Sequence, residues 1–324
     1  MRIRRACQGC IVAAVVVFLI NAGARGASAQ VIFETRYPEA KELVYKTTAN
    51  ISQTLNLMGM EIQSSEKRTV VESLTGGKPR PDMTRPVAVR TLSLKSDHKL
   101  QGGIELSFDS TKPESFTADQ NFAALGDVYR LQSEFAYTVI LDKLGTPTAV
   151  EDWERTRDRA AKFDPISKEM VRGQIDPDKI KAQFEQQQDL FPHQALRRGE
   201  TWERTEVLDY QGGLGLVARK KYEYLGSEKR GEKTVEKIGF RVIDVKHNSD
   251  PESKLPLKLL KSDLKVKSSE GSLLFDRELG CILESQERAR IEGSVVFSGG
   301  GMEVPSELTL NVRLERKQQP PAAK

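Results

Sequence analysis

From Leu43 to Leu57 the odd positions carry Leu43, Tyr45, Ala49, Ile51, Leu55 and Leu57, while Lys46, Thr48, Asn50, Ser52, Thr54 and Asn56 fill even ones. Successive side chains of a strand point to opposite faces, so this period of two predicts a strand with one face buried. A helix would spread the same residues around its circumference. At Met58-Gly59-Met60 the phase shifts to Met60 and Ile62, which predicts a turn and a returning strand. Shorter alternating runs follow over Val87 to Leu94, Gly103 to Phe108 and Phe135 to Leu141, the last entering a turn at Asp142-Lys143-Leu144-Gly145. After Pro192 the pattern resumes. Trp202, Val207, Leu208 and Tyr210 precede Gly212-Gly213-Leu214-Gly215, and Leu216, Ala218, Tyr222 and Tyr224 follow it as a return strand. Ile238 to Val245, Leu264 to Lys267 with Leu273 to Phe275, Cys281 to Ile291 and the strict alternation of Leu308, Leu310, Val312 and Leu314 complete this set.

Two stretches break the alternation. Phe122, Leu125, Val128, Tyr129 and Leu131 approach helical spacing, which predicts a short helix within 114–131 capped by Thr117 or Asp119. Residues 151–191 are charge-dense and helix-forming; Asp176 can cap a segment that opens on Pro177, and Pro165 interrupts the stretch before it. The expected fold is mainly β (α+β): two tandem antiparallel, curved, strand-rich halves, 30–150 and 192–316, joined by a helical connector over 151–191 and followed by a disordered tail, 317–324. Each half ends on an Asp-basic turn closed by Gly, at Asp142 to Gly145 and Asp276 to Gly280, so an internal duplication is one reading of the pattern.

The first 29 residues differ in kind. Arg2, Arg4 and Arg5 precede the apolar run Ile11 to Ile20, and Ala27-Ser28-Ala29 supplies small residues for cleavage, the three parts of a secretory signal peptide. Ten apolar residues are half of the roughly 20 that a membrane-spanning helix needs. Cys7 and Cys10 precede the run rather than follow it, which argues against a lipid anchor. The expected product starts near Gln30, in the periplasm or outside the cell, without an integral membrane span. Of the 50 Lys and Arg, four lie in the signal, leaving 46 against 46 Asp and Glu. A formally neutral chain gives no reason to expect nucleic acid as a partner. Cys281 is the sole cysteine after Cys10, so the mature chain holds no internal disulfide and must be stabilised by packing.

Tyr45-Lys46-Thr47-Thr48 before the Met58-Gly59-Met60 turn, Phe191-Pro192 with Gly199-Glu200-Thr201-Trp202, Tyr222-Glu223-Tyr224-Leu225-Gly226, and Gly271 with Phe275-Asp276 and Gly280 stand in an order and spacing covering most of the mature chain. In these residues the chain resembles a bacterial envelope domain of unknown function found in signal-bearing precursors. The resemblance implies a strand-rich envelope protein and brings no catalytic residues with it.

Residue chemistry points to no reaction. His98, His193 and His247 stand far apart, each without a second ligand at metal-binding spacing. A Gly-x-Ser-x-Gly elbow is absent, and Gly299-Gly300-Gly301 and Gly212-Gly213 lack the Gly-Lys-Ser/Thr of a phosphate loop. Glu151, Asp152, Glu154 and Asp158 cluster around Trp153, as a sugar-cleaving pair would. Arg155 four residues after Glu151 and Lys162 four after Asp158 match ion pairs on a solvated helix face instead. Trp202, Tyr222, Tyr224 and Phe240 alternate as core residues, and Cys281 among Leu279, Ile282 and Leu283 reads as a buried small hydrophobe. The sequence therefore predicts no catalytic residue, metal or cofactor. It predicts a non-enzymatic binding or interaction protein of the envelope, whose partner is an envelope protein or an apolar, lipid-like ligand. The alternatives are a structural or assembly factor and a hydrolase with dispersed acidic residues.

Overall fold

A computed structural model of the chain describes residues 30–112, 116, 122–210, 214–249, 258–299 and 302–320. The predicted signal, the proposed caps Thr117 and Asp119, and residues 321–324 lie outside them. Twelve strands form one curved antiparallel sheet: β1 (Glu42–Leu57), β2 (Met60–Gly76), β3 (Arg85–Leu100), β4 (Ile104–Asp109), β5 (Ala136–Leu141), β6 (Pro147–Glu151), β7 (Thr201–Tyr210), β8 (Leu214–Arg230), β9 (Lys233–Ser249), β10 (Lys258–Asp276), β11 (Cys281–Gly299) and β12 (Met302–Gln319). Their spatial order is β6-β5-β3-β2-β1-β12-β11-β10-β9-β8-β7, with β4 paired to β3. The first and last strands therefore meet at the centre, in register from Val44 opposite Gln319 to Leu57 opposite Ser306. Strands flanking the helices in sequence, β6 and β7, form the two edges.

Among the described residues, four helices of seven residues or more lie between the sheet's two halves in sequence or inside the first: α1 (Ala123–Ser133), α2 (Glu154–Ala160), α3 (Pro165–Val171) and α4 (Pro177–Gln188). α4 starts where the sequence places it: Asp176 accepts from the amides of Asp178 and Lys179 with Pro177 at the first position. Asp164 caps α3 likewise, through Ile166 and Ser167. α1 ends two residues past the predicted end at Leu131, with Val128, Tyr129, Leu131 and Gln132 on its buried face.

Alternation assigns each strand residue to a face. Tyr45, Thr47, Ala49 and Ile51 of β1 stand opposite Gln318, Arg316, Leu314 and Val312 of β12, and the same face continues through Glu287 and Ala289 to Phe240 and Tyr222. This inner face takes the helices. Ile180 and Phe184 of α4 pack on Tyr45, Leu74 and Val89, whereas Val31, Phe33, Phe191 and Leu196 pack on Tyr222, Tyr224, Ile238, Leu273 and Phe275. Each fully buried Phe or Tyr here contributes roughly 1.5–3 kcal/mol by removal from water. The leading segment 30–37 crosses this face as a strap, pinned by paired backbone hydrogen bonds between Val31 and Leu196 (2.9 and 2.8 Å) and by Arg36 N to Gly280 O (2.8 Å).

Several sequence expectations shift. Leu264 to Phe275 is continuous within a 19-residue β10, its alternation disturbed by register shifts at Val266/Ser268 and Leu274/Phe275. Lys317, Gln318 and Gln319, expected in the disordered tail, are ladder residues of β12. The connector carboxylates also choose other partners. Glu151 takes a bidentate pair with Arg80 (2.9 and 2.6 Å), and Asp158 pairs with Arg157, whose guanidinium lies 5.1 Å from the Trp153 ring.

Candidate ligand-binding site

Between α4, the strap and the inner face lies a cavity of about 270 Å³. Leu74, Leu190, Phe240, Leu273, Ile282 and Leu314 give it apolar walls; Thr35, Arg36 and Tyr37 bring the strap to it, and Gln186 and Gln187 bring α4. A second cavity of about 390 Å³ lies beneath α1 and α4, lined by Arg68, Val70, Glu72, Val89, Phe135, Tyr137 and Ile180 among others. Thr47 of β1 is common to both linings. Two glycines keep the walls close. Phe240 lies over Gly271, where an added Cβ would come within 2.3 Å of its ring, and a Cβ at Gly280 would come within 2.7 Å of Arg36.

One end of the smaller cavity carries a closed ion cluster. Lys220 Nζ is 2.8 Å from both Glu206 Oε2 and Glu287 Oε2, and Tyr222 Oη donates to Glu206. The Lys220 side chain is 5% exposed and its ammonium lies 5.3 Å from the Phe240 ring centroid. Burial alone would lower the Lys220 pKa; Glu287 and Glu206 outweigh it and hold the ammonium above its ordinary value. The same burial, with Glu206 as acceptor, pushes the Tyr222 phenol far up. Each group thus has its charge or proton already claimed.

Arg316 is different. It faces the same cavity opposite Thr47, its guanidinium 4.2 Å from the Tyr45 ring, yet its buried Nε has no hydrogen-bond partner and no carboxylate of the described residues pairs with it. Arg68, opposite Ala49 in the second cavity, donates from Nη2 to Gln132 Oε1 (2.8 Å), and its buried Nε is likewise unpaired. A buried guanidinium nitrogen without an acceptor costs about 1–3 kcal/mol unless a ligand or water completes it.

Cys281 lines the same cavity, with burial pushing its thiol up, so it stays a protonated, inert group as expected. Trp202, Tyr222, Tyr224 and Phe240 are core residues, Trp202 stacked on Tyr222 at 5.4 Å. His193 is exposed, 3.5 Å from Asp189, and His247 Nδ1 contacts Gly215 O at 3.1 Å. His98 does gain partners that its sequence neighbourhood lacks. Its Nε2 is 3.0 Å from Ser96 Oγ and 3.5 Å from Glu66 Oε1, and it touches Tyr129 Oη. Ser96 is fully buried and donates to Glu66 (3.1 Å), so all three groups converge on one ring nitrogen without the relay order of a hydrolase. On the opposite face of the sheet, Asn50, Ser52, Lys67, Lys99, Arg290 and Arg313 are among the residues lining an open polar groove of about 1000 Å³. Most of its charges are paired locally, as Lys99 with Glu105 and Arg313 with Glu315.

Sequence reasoning missed Glu206, Lys220, Glu287 and Arg316. A signal existed: Lys220 falls between Ala218 and Tyr222 in the buried phase of its strand, and Glu287 precedes Ala289 and Ile291 in the buried phase of another.

No family model matches the chain, and neither does any curated protein. Among solved structures, lipovitellin, determined for its lipid–protein interactions, aligns over 89% of this chain and 26% of its own at 10% identity with a TM-score of 0.44. The chain thus spans about a quarter of lipovitellin. A putative exported protein with a YmcC-like fold from Bacteroides fragilis aligns over 86% and 98% at 10% identity (TM-score 0.21). A DUF1329 family protein from Desulfovibrio piger aligns over 86% and 87% at 8% identity (TM-score 0.15). At such scores these likenesses assign neither family nor function. Among the described residues no helix is long and apolar enough to cross a membrane, and no group of three or more His, Cys, Asp or Glu could hold a metal ion.

Proposed function

We propose that this is a non-enzymatic binding protein of the bacterial envelope that holds an apolar, lipid-like ligand between its helices and the inner face of the sheet. The observation that carries the reading is the pair of cavities that share Thr47, the smaller of them apolar along Leu74, Leu190, Leu273 and Leu314 with its Lys220, Glu206 and Glu287 charges paired. Small-molecule sites have this character, mostly hydrophobic with a few fixed polar groups. The nearest alternative chemistry, acid–base catalysis by Glu206 and Glu287, is disfavoured because Lys220 bridges both carboxylates. Native mass spectrometry of protein purified from the envelope tests the proposal. A co-purifying lipid is the expected result; a protein partner instead of a lipid would favour an assembly factor.

A further inference from the structure

The walls of the two cavities contain more information than "apolar". Their charges sort into those already satisfied and those left open. Glu206, Glu287 and Lys220 satisfy one another, so this end offers nothing further to a ligand. Arg316 and Arg68 each keep an unsatisfied Nε, although Arg68 Nη2 donates to Gln132, and they flank the shared residue Thr47: Arg316 is its cross-strand partner on one side, and Arg68 is the partner of Ala49, two residues on, from the other. Both side chains contribute to the lining, each has a buried Nε without an acceptor, and neither is paired with a carboxylate among the described residues. Two half-buried guanidinium groups, each with a buried Nε left unsatisfied among apolar residues such as Val70, Leu74 and Leu314, call for an anion with a planar, two-oxygen head, the geometry that a guanidinium fork binds best. The smaller cavity reaches from Thr47 between Leu314 of β12, Leu74 of β2 and Leu273 of β10, and the charges of Glu206, Lys220 and Glu287 beside Phe240 are closed on one another, which leaves room for a chain and not for a second charge. Glu72, which lines the larger cavity, disfavours a head seated deeper on that side.

We propose that the ligand is a single-chain amphipath with a carboxylate head, the head held at Thr47 by Arg316 and Arg68 and the chain lying along Leu314, Leu74 and Leu273 toward Phe240. This rests on the binding reading above and names the ligand class. The bound pose closes the two open guanidinium groups and leaves the Glu206–Lys220–Glu287 cluster undisturbed.

The test compares hexadecanoate with hexadecan-1-ol, titrated into the delipidated full chain and followed by displacement of a fluorescent apolar probe. The wild type is expected to bind the acid about tenfold or more tighter than the alcohol, the factor that one charge-assisted hydrogen bond provides. Arg316→Met, which keeps the stem and removes the charge, is expected to cut the acid-to-alcohol ratio about tenfold; Arg316→Lys should retain part of it, and Arg68→Met should lower it independently. Equal binding of acid and alcohol by the wild type overturns the carboxylate assignment while the binding reading stands. A preference for acid that survives Arg316→Met and Arg68→Met together places the head elsewhere and overturns it too. Binding of neither compound overturns both readings. If Arg316→Met fails to fold, Arg68→Met with Arg316→Lys decides the same question.

Discussion

Removing the ammonium of Lys220 should be among the most damaging single changes in the inner face. In Lys220→Met the stem still fills its place against Phe240, but Glu206 and Glu287, with side chains 14% and 9% exposed, face each other without a cation. Breaking a buried pair by deleting one partner costs about 3–5 kcal/mol, because the remaining charge is uncompensated. For a chain of this size that corresponds to a fall in Tm of roughly 5–8 °C. Either carboxylate can escape by taking up a proton, so the deficit of Lys220→Met should be larger at pH 8 than at pH 5. The wild-type contribution runs in the other sense: the raised Lys220 pKa gives stability that is complete below the ordinary lysine range and is lost only as pH rises through the folded value. The triple variant Lys220→Met, Glu206→Gln, Glu287→Gln removes all three charges and should recover most of the loss. Thermal unfolding of the single and triple variants at both pH values is the assay. A single variant within about 1 kcal/mol of wild type, or a triple variant less stable than the single, would refute the reasoning.

Three further outcomes follow from the packing. His98 is held below its ordinary pKa, by burial first and by Arg68 second, against the opposing pull of Glu66 and Asp97. Its folded form therefore resists protonation, and stability is lost as pH falls below the unfolded histidine value toward the folded one; His98→Asn should make the Tm profile between pH 7.5 and 5 shallower. Gly280→Ala places a Cβ 2.7 Å from Arg36 and 2.9 Å from Glu34 O at a backbone φ of +66°, so limited proteolysis should cleave the strap faster and Tm should fall. Asp176→Ala removes the acceptor for two amides of α4 and should cost about 1 kcal/mol in urea unfolding, with Asp176→Asn largely sparing it.

Local rules were enough for much of this fold. The alternation of β1 assigns its buried face residue by residue, and Asp176-Pro177 marks the start of α4, because both are contacts between sequence neighbours. β10 was harder: of its three register shifts, the one between Val266 and Ser268 changes which parity faces inward, so one strand reads as two short ones. α1 shows the same limit, its boundary being set by packing of Val128, Leu131 and Tyr129 rather than by a cap. The site lay furthest from local signals. Glu206 and Lys220 meet by hairpin pairing, but Glu287 reaches Lys220 from 67 residues away and Arg316 faces Thr47 from the opposite end of the chain. No spacing rule connects such residues. A charged residue in the apolar phase of a strand does flag each position singly, and Lys220 and Glu287 both carry that mark.

The central pairing of β1 with β12 also dictates when the molecule can exist. Every other neighbouring pair in the sheet joins strands adjacent in sequence or separated by one strand, whereas this seam joins residues 44–57 to residues 306–319. Until the last strand is available, β1 and β11 are both open edges with unpaired amides and carbonyls, the surface on which strands associate wrongly. Loop closure over this span must precede its reward, which makes the seam a late and slow event. Of the twelve described strands, synthesis supplies β12 last. A chain interrupted after β11 and before residue 302 should thus be left with β1 and β11 exposed in what would have been its centre, and the sheet comes to depend on the eighteen-residue β12 as the piece that locks both halves together.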